Sequence, residues 1–91
     1  MQRKNKNSLI LRENLGLTYK ELRLKATNKT RSKIEDKFDI AKTTIARVEN
    51  AQFDCKLITL WKTAEAINVK PSKIISALEE KLGDNFKLID E

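Results

Sequence analysis

The stretch TRSKIEDKFDIAKTTIARVEN, Thr30 to Asn50, decides the fold. Its apolar residues fall into two short runs, Ile34 with Phe38 and Ile45 with Val48, and Ile40 stands between the runs. Residues three or four apart share one face of an α-helix, so each run gives a short helix with one apolar stripe, and Ile40 fills the turn between them. The two stripes then close on a single seam. On the later helix, from about Lys42 to Asn50, the residues Lys42, Thr43, Ala46 and Arg47 take the opposite face and point away from that seam. This outward face is short, basic and able to form hydrogen bonds.

Two short helices joined by a tight turn, the second with a polar outer face, make a helix-turn-helix, in which the second helix enters the DNA major groove and the first crosses the backbone. From Leu15 to Ile75 the chain resembles the phage-repressor-like (Xre-type, lambda-repressor-like) transcriptional regulators. The matching residues are LG followed by YKELR in the first helix, TxxxI opening the second, IAKTTIARVEN for the turn and third helix, KLITLWKTAEAINV for the fourth and PSKII for the fifth. The third-helix motif is the specific part. The resemblance implies an all-α fold, a compact five-helix bundle that binds operator DNA as a dimer. The chain departs from the family pattern at Asp39 and Ala51, where the family prefers Gly, and at Glu35, where it places a small residue between the helices.

Composition agrees with one small helical domain. Ninety-one residues, 40% of them hydrophobic, close a single core and leave no room for a second domain of useful size. No run approaches the roughly 18 apolar residues of a membrane span, and the polar RKNKN start lacks the apolar region of a secretory signal. A cytoplasmic protein is expected. One cysteine, Cys55, and no histidine exclude a disulfide framework and argue against zinc or histidine chemistry. Without paired cysteines, a P-loop or a Gly-rich phosphate cradle, the sequence is read as a non-enzyme without a cofactor. Cys55 is either inert packing or a sensor thiol.

Charge is unevenly distributed. The net charge is +6, and residues 1 to 50 hold 13 basic against 6 acidic side chains, whereas residues 51 to 91 hold 6 against 7. The basic half contains the helix-turn-helix. A polyanion partner at that end follows, because each neutralised phosphate releases condensed counterions; the alternative is a solvated lysine-rich surface.

Residues 1–7 read as a basic flexible arm, lying along phosphates or serving only as a tail; residues 8–82 form the DNA-binding domain; and residues 83–91 are a C-terminal tail. From Ser8, a candidate cap, Leu11, Leu15, Tyr19, Leu22 and Ala26 share one helical face. Gly16 lies inside this helix and weakens it locally, so the part before it is also readable as a separate turn or strand. Thr30 caps the second helix, and Asn50 either takes the left-handed position or caps the end of the third. Phe53 is a core anchor or a phosphate-side contact. Leu57, Leu60, Trp61, Ala64 and Ile67 form the stripe of the fourth helix, which stops at Asn68. Pro71 opens the fifth, whose stripe of Ile74, Ile75, Leu78 and Leu82 ends at Gly83. The tail adds Phe86, Leu88 and Ile89, surplus apolar surface for a dimer contact or for folding back on the same chain.

The resemblance assigns roles residue by residue. Lys42, Thr43, Ala46 and Arg47 are expected at base edges, with Arg47 and Lys42 suited to guanine and the Thr43 methyl to thymine. Arg31, at the start of the second helix, together with Lys33, Thr44 and Arg3, is expected on phosphates. Arg23 and Glu49 are expected to form an ion pair tying the first helix to the third. The function implied is a sequence-specific regulator, a repressor or autoregulator, binding a palindromic operator in double-stranded DNA as a homodimer. The alternative is the antitoxin of a toxin–antitoxin pair, which binds both its operator and a toxin protein.

Overall fold

The computed structural model describes residues 6–26, 33–34, 42–51 and 54–89. Among these the chain is all-helical: α1 (Lys6–Ala26), α2 (Lys42–Glu49), α3 (Leu57–Ala66) and α4 (Pro71–Leu82), with Lys33 and Ile34 also helical. The rest of the expected second helix, with Phe38 and Ile40, lies outside the described residues, as does Phe53. The five-helix count is therefore an expectation of the sequence, and four helices are what the described residues establish. The Cα radius of gyration is 13.5 Å, close to the roughly 12 to 13 Å of a folded chain this long.

Helix α1 is the centre of the bundle and packs against both α2 and α4, while α3 packs against α4. It begins at Lys6, two residues before the expected Ser8 cap, and runs unbroken through Gly16. The break expected at Gly16 is absent because tertiary packing offsets the weak helix propensity of glycine. Gly16 is buried against the end of α2: a Cβ there would lie 2.6 Å from the Glu49 carbonyl oxygen and 2.7 Å from that of Val48. Glycine is what lets the two backbones touch.

Tyr19, Ile34, Ile45, Val48, Leu60, Ala64, Ala66, Ile67 and Ile74 form the buried core, with Leu15, Leu22, Cys55 and Val69 packed on its margin. Ala26, the last residue of α1, is exposed instead of buried. In α3 the expected stripe is only half right. Leu60, Ala64 and Ile67 are buried, but Leu57 and Trp61 are exposed. The buried line also runs through Thr63, whose hydroxyl reaches the carbonyls of Thr59 at 2.9 Å and Leu60 at 3.1 Å, which removes the cost of burying it. That rotates α3 away from the orientation that would bury Trp61.

Helix ends follow the local chemistry. The left-handed residue after α2 is Ala51, φ 59°, one position later than Asn50, and its N–H donates to the Val48 carbonyl at 3.2 Å. Asn68 takes φ 58° after α3; its N–H donates to Glu65 O at 3.0 Å and that of Val69 to Ala64 O at 3.0 Å, the paired bonds of a Schellman end. Pro71 sits in the first turn of α4, and Gly83 closes it at φ 84°. Beyond Gly83 the tail turns back to α1, where the Asn7 side-chain amide donates to Lys87 O at 2.7 Å. Phe86 is half-buried, while Leu88 and Ile89 remain exposed.

Candidate nucleic-acid interface

The candidate reading helix is α2, whose sequence KTTIARVE divides by face. Ile45 and Val48 are buried in the core, and Thr43 and Arg47, one helical turn apart, are exposed side by side. Ala46 and Thr44 are half-buried at the borders of that face. Lys42 opens the helix, and its side chain lies outside the described residues, as do Arg31 and Arg3. Lys33 is exposed on its own helical segment. The structure thus puts Thr43, Ala46 and Arg47 on one outward-facing surface with Thr44 at its border; of the other phosphate candidates only Lys33 is among the described residues, and it is exposed.

What holds α2 is on α1. Gly16, Tyr19 and Arg23 are spaced three and four apart and share the buried face turned toward α2. The Arg23 side chain reaches Glu49 with two parallel hydrogen bonds: Nε donates to Oε2 at 2.7 Å, and an Nη donates to Oε1 at 3.1 Å. Only 7% of the Arg23 side chain and 1% of the Glu49 side chain are exposed. A bidentate guanidinium–carboxylate contact fixes orientation as well as distance, because both groups are planar. Between Gly16 and Arg23, Tyr19 is fully buried and its hydroxyl donates to Thr63 O at 2.9 Å, so the same face of α1 also grips α3. Burial, reinforced by the nearby Glu49 charge, raises the pKa of the Tyr19 phenol and keeps it neutral as a donor.

Two features of these anchors escape a stripe-based reading of the sequence, although Tyr19 itself stands in the expected apolar stripe of α1. Gly16 carries no side chain to score as apolar, and the Tyr19 hydroxyl gives no periodic signal. The spacing of Gly16, Tyr19 and Arg23 was the available clue. A third contact, Arg12 Nε to Asp54 at 3.7 Å, links α1 to the loop after α2 and is largely solvent-exposed on the Asp54 side. Burial raises the pKa of the half-buried Cys55 thiol, which suits packing better than reactivity.

Among the described residues, no helix is long and apolar enough to cross a membrane. Set against family models, curated proteins and solved structures, the chain matches none.

Proposed function

We propose that this chain is a sequence-specific DNA-binding transcriptional regulator of the lambda-repressor-like kind, acting as a repressor or autoregulator. It binds a near-palindromic operator as a homodimer, with α2 in the major groove. The helix containing Lys33 and Ile34 is the first of the helix-turn-helix pair and completes a five-helix bundle. The observation that carries this reading is the division of α2. Its inner face is locked to α1 through Val48 and Glu49, while Thr43 and Arg47 stand exposed on the outer face. A helix held by one side and polar on the other is what base readout requires. The excess of basic residues in the first 50 positions adds salt-dependent affinity for phosphates.

In this reading Arg47, with Lys42, addresses guanine and Thr43 addresses a thymine methyl, Ala46 allows close approach, and Arg31, Lys33, Thr44 and Arg3 hold phosphates. Selection of bound duplexes from a random pool tests it. A two-fold symmetric motif with half-sites about one turn, roughly 34 Å, apart is expected. Because a bidentate base contact is worth about 1 to 3 kcal/mol, Arg47→Ala should weaken binding to the selected site about ten- to a hundredfold without loss of helicity. Normal operator binding by Arg47→Ala refutes the assignment of this face, and salt-dependent binding without any motif refutes sequence-specific regulation.

A further inference from the structure

On the side of the bundle formed by α3, α4 and the turn between them lies a groove of about 1010 Å³. Its lining includes no residue of α1 or α2. Leu57, Trp61 and Ile75 line it and are 68%, 52% and 41% exposed, respectively. Three large apolar side chains at these exposures leave on the order of 300 Å² open to water, a patch of the size that marks an interaction site. The exposed leucines of α1 do not gather in this way: Leu9, Leu17 and Leu24 are strung along about 22 Å of the helix.

We propose that this groove is the surface on which two copies of this chain pair. Area is the first argument. A stable interface takes about 800 Å² from each partner, and an apolar centre of about 300 Å², with the polar residues of the groove wall around it, fits the core-and-rim make-up of such an interface. The second argument is charge complementarity. Lys70 stands at the start of α4 and Glu79 nine residues further along, about 13 Å away at the helical rise, both exposed and both lining the groove. A two-fold axis normal to the groove reverses its direction, so Lys70 of each copy faces Glu79 of the other, while Trp61, midway along α3, lies near the axis. The choice of a second copy over an unlike partner rests in part on the operator-binding reading, since one eight-residue helix reads only a half-site. Pairing through α3 and α4 leaves Thr43 and Arg47 uncovered.

Sedimentation equilibrium of the full chain without DNA tests the proposal. A dimer is expected at about 100 µM protein, with a concentration-dependent blue shift of the single tryptophan, Trp61. Trp61→Asp and Leu57→Glu alter exposed positions, so helicity should be unchanged and self-association at least tenfold weaker. Lys70→Glu alone should also weaken pairing, and adding Glu79→Lys in the same chain should restore it; this rim exchange decides the matter if Trp61→Asp fails to fold. A chain that is monomeric at about 100 µM, a dimer indifferent to Trp61→Asp, or a groove found to hold an unlike protein on a monomer overturns it. The two readings fail separately. A dimer dissociated by Trp61→Asp that selects no DNA motif keeps this surface and removes the operator, whereas a monomer that selects a motif does the reverse.

Discussion

Replacing Glu49 by alanine is the most direct challenge to the anchoring of α2. The carboxylate is almost completely buried and takes two hydrogen bonds from Arg23, whose side chain is itself 7% exposed. Removing it leaves a guanidinium in the interior without this counter-charge. Stranding one member of a buried pair costs about 3 to 5 kcal/mol, mostly the desolvation of the charge left behind. A domain of this length has about 5 to 14 kcal/mol in total, so Glu49→Ala should consume about a fifth or more of its stability. At about 4 to 8 °C per kcal/mol, the melting temperature should fall by more than about 12 °C. Urea denaturation followed by far-UV circular dichroism measures the change. Replacing Arg23 by methionine and Glu49 by leucine together should cost much less, because no charge is then stranded. A double-mutant cycle with coupling below about 0.5 kcal/mol between the two positions would refute the reasoning.

The remaining predictions concern the same end of α2. Gly16→Ala should gain about 1 kcal/mol in helix propensity but lose about 1 to 3 kcal/mol to overpacking, because the new Cβ would meet backbone oxygens at 2.6 and 2.7 Å. A net loss of up to about 2 kcal/mol in denaturation, with weaker operator binding, is expected; a more stable Gly16→Ala would show that the helices do not touch here. Ala51→Gly should stabilise by about 0.5 to 1 kcal/mol, because Ala51 is held at φ 59°, where glycine carries no Cβ penalty. A lower melting temperature for Ala51→Gly would place the left-handed residue elsewhere.

Helical periodicity made α2 and most of α4 legible, although Ile75, expected in the buried stripe with Ile74 and Leu78, is 41% exposed. Pro71 and Gly83 fixed the ends of α4 through their own backbone chemistry. Where the sequence misled, a side chain's chemistry and its packing partner diverged. Trp61 reads as core by composition, yet Thr63 takes the buried position because its hydroxyl finds carbonyls within α3. Gly16 reads as a local weakness of the first helix, yet its lack of a side chain admits the backbone of α2. Both errors arise because a stripe counts apolar atoms, while close packing rewards small residues and self-satisfied hydroxyls equally. In the site, the face carrying Thr43 and Arg47 followed from the burial of Ile45 and Val48, since exposure on a helix is the complement of burial.

The contacts on α1 explain how so short a helix is presented in one orientation. Eight residues are too few for a helix to persist alone in water, so tertiary contacts must supply its stability. A cylinder resting on an apolar surface still rotates and slides, because hydrophobic contact has little direction. Gly16 removes the sliding: with backbone against backbone at Val48 and Glu49, α1 and the end of α2 interlock at one axial position. The Arg23–Glu49 pair removes the rotation, since a guanidinium and a carboxylate bonded in parallel share a plane and Glu49 cannot turn without breaking both bonds. Arg47 lies two residues before Glu49, so at 100° per residue it points about 160° away. Fixing Glu49 inward on α1 therefore fixes Arg47 outward. The buried ion pair contributes little net stability against an apolar alternative; its geometric effect is to hold the polar face of α2 in one outward direction.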